Sequence, residues 1–387
     1  MDEKELLIAL LRSHVCGDSQ VAVEAPSAQV LEKLSILAQR HDLAHIVGQA
    51  LGERKFLGDD AISQKLKSIS MQAICRYVQL SYELGQSCRV LEEEKIPFIP
   101  LKGSVLRSYY PEPWMRTSCD IDVLVPVQDL DRAVDALKQK LQYQGNGKGA
   151  HDVVLHAPGG TILELHYDMI EQRHANDAMR NVLAEIWEDA HPIKEGSCHM
   201  VLSDPMFYFY HIAHMAKHFE AGGCGVRAFL DIWILNHKVE HEKAARDALL
   251  QAGGLLPFAQ ATEKLSEAWF SGTPMDAWTQ RINDYILRAS LYGDDDNRAA
   301  LGQAKSGGKL RYLFTQRIFL PYDYLKAEYP ILERYKWLTP VYQVIRWSSV
   351  LRRGDVGRRV RELRTNAGVS REATTSAADM LRYLGLE

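Results

Sequence analysis

Apolar side chains recur at helical spacing through most of the first ninety residues. Leu7, Leu10, Leu11 and Val15 mark one stripe, and Ser27, following Pro26, is placed to cap a second helix running toward Leu51. The longest stripe joins Ile62, Leu66, Ile69, Ala73, Tyr77, Leu80, Leu84, Cys88 and Leu91 in alternating steps of three and four. That spacing predicts one amphipathic helix of about eight turns, with a face that must be covered by other elements. At Pro97 the pattern changes to short runs rich in Ile, Val and Leu, which predict strands at 97–101, 121–125, 153–156 and 162–167. Leu130, Ala133, Val134 and Leu137 place a helix at 128–141, and Pro158-Gly159-Gly160 predicts a hairpin between the last two strands. Helical spacing returns at 178–187, 204–219 and 226–238 and is less decisive beyond; the last twenty residues, rich in Ser, Thr and Ala, read as loosely ordered.

The expected architecture is α+β: a small mixed sheet at residues 94–192, an N-terminal helical region at 1–93 and a C-terminal helical region at 193–387, with the substrate cleft between them. At 387 residues the chain is long enough for such a division. Its 46 Lys and Arg against 50 Asp and Glu give a formal net charge of -4, so affinity for nucleic acid or an anionic membrane has to be local. The N-terminus is acidic and its apolar run too short for a signal peptide, and the longest apolar-aromatic stretch, 205–216, falls short of a membrane span. A cytoplasmic protein with no membrane partner is expected. The 6 cysteines are dispersed without a Cys-x-x-Cys pair and read as reduced thiols.

Chemistry concentrates in the extended region. Asp120 and Asp122 flank Ile121 at a strand start, so both carboxylates share one face while Ile121 points into the core. Like charges held that close call for a bound cation or a raised pKa, and carboxylates beside phosphate oxygens suit magnesium. Glu164 and His166 alternate with Leu163 and Leu165, so a neighbouring strand brings a third acid to the same face. Three carboxylates so placed are expected to hold two magnesium ions for in-line displacement at phosphorus. His166 reads as an imidazole that orients a carboxylate rather than as a ligand. Gly103-Ser104 follows a strand and opens a helix, a turn whose amides are suited to a phosphate, with Lys102 and Arg116 adding positive charge.

Leu101-Lys102-Gly103, Tyr110-Pro111, Arg116, Asp120-Ile121-Asp122 and Glu164-Leu165-His166 together resemble a family of largely uncharacterised nucleotidyltransferases of the DNA-polymerase-beta-like superfamily. The likeness is strong over about seventy residues and weaker at 41–45, 211–231 and 321–340. Cys119 stands where a Gly or Ser is usual in that family. The resemblance implies a mixed sheet with flanking helices, a Gly-Ser element for the triphosphate, metal-binding Asp120 and Asp122, and Glu164 helping to activate the acceptor hydroxyl. A nucleoside triphosphate is the implied donor, with pyrophosphate released; base and acceptor, whether small molecule, protein or RNA, stay open.

Two rival functions use other features. A catalytically silent nucleotide-binding module of the same fold would signal through its helical arms. A histidine-based metalloprotein would centre on His211, His214 and His218, spaced i, i+3 and i+7, although this run lacks the glutamate of the His-Glu-x-x-His proteases and reads first as core or substrate lining. Arg227 and Asp231 are expected to form an i,i+4 pair. The glycine-rich run at 145–149 lacks phosphate-loop spacing and reads as a connection. Arginines crowd 346–364, and the ordinary reading of such a run is a solvated helix face, with RNA a less favoured partner.

Overall fold

The fold is that of a computed structural model, which describes residues 1–387 apart from 146, 148, 150, 171–175, 292 and 353–355, with backbone alone at 316, 317, 323, 327, 328, 350, 351, 356 and 358–360. The chain begins with four helices, α1 (Glu3–His14), α2 (Ala28–Arg40), α3 (Ala44–Glu53) and α4 (Ala61–Glu93). Ser27 caps α2 through its hydroxyl, which accepts from the Val30 amide. The single helix expected toward Leu51 is divided in two. Asp42 turns left-handed at φ 54°, a conformation that Asp tolerates better than most residues, and so ends α2 before α3 begins. The long stripe forms one helix of 33 residues, α4, with Leu66, Ala73, Leu80 and Leu91 buried along it.

After α4 come β1 (Ile99–Pro100), α5 (Gly103–Leu106), β2 (Asp120–Leu124), α6 (Leu130–Leu141), β3 (Asp152–His156) and β4 (Ile162–His166). The strands form a mixed sheet of order β1-β2-β4-β3. The β3–β4 hairpin turns where expected, with Gly160 at φ 81°, a left-handed conformation that costs glycine little. The two faces of the sheet differ sharply. Ile121, Val123, Val153, Leu155, Leu163 and Leu165 pack with Leu80, Val90 and Leu91 of α4 and Leu130, Ala133 and Leu137 of α6 in a small core. The opposite face carries Asp120, Asp122, Glu164 and His166, as the twofold alternation of strand side chains requires.

The remainder is mostly helical: α7 (Asp177–Ala184), α8 (Ile186–Asp189), the small strands β5 (His191–Pro192) and β6 (Met200–Val201), then α9 (Asp204–Glu220), α10 (Val226–His237), α11 (Lys243–Ala252), α12 (Leu256–Phe270), α13 (Ala277–Arg288) and α14 (Asp295–Lys305). Beyond them lie α15 (Lys309–Tyr312), α16 (Tyr322–Glu328), α17 (Ile331–Arg334), α18 (Thr339–Arg352), α19 (Val356–Gly368) and α20 (Arg371–Leu384). A second, larger core joins both ends of the chain: Leu6, Leu10 and Leu34 from the first helices, Phe209, Phe219 and Phe229 from α9 and α10, Phe258 and Leu265 from α12, and Leu381 and Leu384 from α20. The carboxyl end is therefore ordered, contrary to the reading from its Ser, Thr and Ala content. Ser370 caps α20, and Ala377, Met380, Leu381 and Leu384 recur at helical spacing on its buried face.

Candidate functional site

The acidic face of the sheet forms one wall of a cavity of about 340 Å³, and α9 and α10 form the facing wall. Parallel pairing sets Asp122 directly opposite Glu164, with Leu124 opposite His166 and Asp120 opposite Ile162. Asp122, Glu164 and His166 each offer a ligand atom, and all three atoms lie within 4.8 Å of one another. Asp120 lines the same cavity. Burial, with the charges of Asp122 and Glu164, pushes the Asp120 carboxyl up to about 6. A cation is the simplest relief for three carboxylates crowded this way.

Two basic side chains already approach the cluster. Lys102 Nζ donates to Asp122 Oδ1 at 2.6 Å, and His166 Nε2 lies 2.8 Å from the same oxygen. Burial opposes ionisation of Asp122, but Lys102 and His166 more than offset it and hold this carboxyl well below the usual range. Glu164 is also held low, first by its hydrogen bond with His166, and stays a carboxylate at neutral pH. His166 moves the other way: burial disfavours its charge, yet its bonds to Asp122 and Glu164 raise its pKa. The imidazole therefore ties the two acids together. The expectation that this imidazole orients a carboxylate holds, with Asp122 as that carboxylate; which acid it meets depends on cross-strand register, which is not written in either strand.

Lys102 sits at φ 45° and ψ -120°, a conformation natural to glycine and strained for lysine, at a cost of about 1–3 kcal/mol. The next residue lies close to the loop before β2, since a Cβ at Gly103 would meet Ser118 Cβ at 3.3 Å. Gly103 lines the cavity; Ser104 is not among the lining residues, and its amide donates to the Leu101 carbonyl at 3.0 Å. The turn therefore brings Lys102 and Gly103 to the cavity more directly than Ser104.

Arg116 also lines the cavity, where its side chain is held by Asp231 of α10. Arg116 Nε lies 2.7 Å from Asp231 Oδ1 and 3.0 Å from Oδ2, and the Tyr110 hydroxyl donates to Oδ1 at 2.7 Å. Burial would raise the Asp231 pKa, but Arg116 and His211, with the bonds from Arg116 and Tyr110, keep it below the ordinary value. The expected Arg227–Asp231 helix pair does not form. Arg227 instead pairs with Asp42 and bonds Thr117, so local spacing yields to partners brought by the fold. Arg76 of α4 adds bonds to the Ser118 and Cys119 carbonyls at 3.0 and 2.7 Å. The loop leading into Asp120 is thus gripped by α4, α10 and the α2–α3 turn.

His211, His214 and His218 all line the helical wall, with Tyr210 and Lys217 beside them. His214 and His218 approach through their Nε2 atoms at 3.3 Å. Among the described residues, only Asp122, Glu164 and His166 converge as three potential metal ligands, so the α9 histidines form no three-ligand centre there. Burial, followed by the charge of Lys102, holds His214 well below its usual pKa, so it faces the cavity as a neutral imidazole.

A family model described as an uncharacterised nucleotidyltransferase matches residues 27–271, which include the whole four-stranded sheet, α9 and α10. The chain belongs to that family. No curated protein and no solved structure gives a significant match. Family membership points to a nucleotide substrate and a transferase reaction. No helix of the described residues is long and apolar enough to cross a membrane.

Proposed function

We propose that this nucleotidyltransferase is a magnesium-dependent enzyme that moves a nucleoside monophosphate from a nucleoside triphosphate to an acceptor hydroxyl, releasing pyrophosphate. The observation that carries the reading is the register of β2 against β4, which sets Asp122 opposite Glu164 in the cavity wall with Asp120 on the same strand face. The donor set fits hard divalent cations: Asp120, Asp122 and Glu164 would hold two magnesium ions, whose charge would offset the burial and carboxylate repulsion that raise the Asp120 pKa. When bound, magnesium supplies positive charge to the phosphate oxygens as negative charge shifts onto the leaving group.

The chain's own residues have the following parts. Gly103 and Lys102 approach the triphosphate, with Ser104 supporting the turn, and Lys102 alternates between Asp122 and phosphate. Arg116, tied to Asp231, fixes the approach to β2 rather than contacting the nucleotide freely. The acceptor oxygen attacks the α-phosphorus, the bond to the β-phosphate oxygen breaks, and Glu164 takes the proton from the acceptor hydroxyl. His211 and His214, kept neutral first by burial, line the acceptor side.

One observation favours a second reading. Lys102 and His166 both engage Asp122 Oδ1, an arrangement that neutralises the acid without metal and would suit a nucleotide-binding module with no turnover. Four labelled nucleoside triphosphates, each offered with magnesium to fractionated small molecules, proteins and RNA, decide the matter. Label transfer with pyrophosphate release supports the enzyme. Magnesium-dependent nucleotide binding without transfer in any fraction supports the silent module.

A further inference from the structure

Helix α18 turns two polar side chains inward and three aliphatic ones outward. It buries Gln343 and Arg346, whose side chains donate to the Leu320 and Ile318 carbonyls, both at 2.6 Å. It exposes Val341, Val344 and Ile345, at 49%, 66% and 37%, and Trp337 just before it stands 73% exposed. Positions 337, 341, 344 and 345 follow helical spacing, so these side chains make one continuous apolar stripe. Ten of the eighteen exposed large apolar side chains among the described residues fall between 310 and 363. Singly exposed apolar residues are ordinary, but a helix that turns its apolar side outward and its polar side inward has a surface to cover.

Charge says what covers it. Between residues 309 and 364, Lys and Arg outnumber Asp and Glu by thirteen to five, in a chain whose net charge is -4. Lys336 and Arg352, both exposed, stand at the two ends of the stripe, and exposed Arg361 and Arg364 follow on α19. We propose that the Trp337–Ile345 stripe docks the protein on an anionic lipid bilayer, the aliphatic side chains entering the headgroup boundary and the flanking cations meeting lipid phosphates. A second copy of the chain is disfavoured because a symmetric contact sets this basic surface against itself. RNA is disfavoured because Trp337 is the single ring of the stripe, and the aliphatic Val341, Val344 and Ile345 that make up the rest of it offer no face on which successive bases can stack. At 14 residues α18 is too short to span, so it lies along the surface. The contact departs from the expected absence of a membrane partner, which rested on spanning segments and overall charge.

The test is sedimentation of the full chain with vesicles of phosphatidylcholine alone and of phosphatidylcholine mixed with phosphatidylglycerol. The wild type is expected to pellet with the mixed vesicles and to be released by salt. Val344→Asp and Trp337→Ala should each weaken this about tenfold or more, since each removes the transfer free energy of a buried apolar side chain. Both sites are exposed, so circular dichroism and melting temperature should not change. Failure of the wild type to pellet, or pelleting by the two variants as strong as that of the wild type, overturns the proposal. So does a Val344-dependent dimer in sedimentation velocity, or Val344-dependent RNA binding without lipid binding; these point to a second copy and to RNA respectively.

Discussion

Asp122 and Glu164 are direct partners across two parallel strands, and His166 Nε2 reaches an oxygen of each, at 2.8 and 3.6 Å. Removing charge without shape from the two aspartates of the β2 face, Asp120 and Asp122, therefore tests the site cleanly. Asp120→Asn with Asp122→Asn should abolish magnesium-dependent pyrophosphate release while circular dichroism shows the fold retained, with a lower melting temperature because Lys102 loses its buried partner. Pyrophosphate release at the wild-type rate would move the site elsewhere in the cavity.

Glu164→Gln separates binding from chemistry. Asp120 and Asp122 remain, so nucleotide binding in magnesium should persist in part, while turnover falls by roughly 100-fold, the lower range for a lost general base. Calorimetric titration of nucleotide beside single-turnover pyrophosphate release measures both on one variant. Unchanged turnover would remove Glu164 from the mechanism and leave it as a neighbour of His166.

His214→Ala should cost less turnover than either aspartate change, because His214 stands on the helical wall and not in the acidic cluster. Its effect should appear in the KM for the acceptor more than in that for the nucleotide. A loss as deep as that of Asp122→Asn would bring the α9 histidines into contact with the reacting groups.

The Arg116–Asp231 pair calls for a cycle of variants. Asp231→Asn leaves the Arg116 charge buried without its partner, a change that costs about 3–5 kcal/mol in comparable pairs. Arg116→Met combined with Asp231→Asn should recover much of that stability in urea titrations. It should not recover pyrophosphate release, because the loop entering Asp120 loses its tie to α10. Recovery of both would reduce the pair to a packing element.

The sequence was most readable where physics is local. Helix α4 follows from a stripe that never breaks, and the four strands follow from twofold alternation between turn residues, so the acids were placed on one face before any fold was known. What escaped was non-local. The left-handed Asp42 that separates α2 from α3 looks, in sequence, like any polar helix residue. Arg227 and Asp231 have ideal helix-pair spacing, yet Asp42 and Arg116 win them from distant parts of the chain. The order of α20 was masked by small polar residues, although Met380, Leu381 and Leu384 carry the helical spacing that buries it. In the glycine-rich connection Asn146 and Lys148 lie outside the described residues, as does Arg353 of the basic segment.

His41 gives the last prediction, a pH dependence of stability with a definite sign. Its ring is buried at the α2–α3 turn, where Nδ1 accepts a 3.4 Å hydrogen bond from the Val226 amide. Burial, helped by the charge of Arg40, pushes its pKa down to about 4, whereas an unfolded histidine titrates near 6.5. In the window between these values the unfolded chain binds a proton that the folded chain refuses, so stability falls as pH falls. One such proton corresponds to about 1.4 kcal/mol per pH unit, or on the order of 3 kcal/mol across the window. His45, His211 and His214 are shifted in the same direction and add to the slope, while His166, raised by its acids, works against it. The depressed Asp231 acts lower, losing its contribution only as pH drops through the carboxylate range. His41→Asn keeps an acceptor for the Val226 amide but cannot take up the proton. Urea titrations at intervals from pH 8 to about 4 should therefore show a variant that is less stable than wild type at pH 8 yet loses stability more slowly on acidification, by about 1.4 kcal/mol per pH unit. Parallel curves for the two proteins would mean that His41 protonates as readily in the folded chain as in the unfolded one.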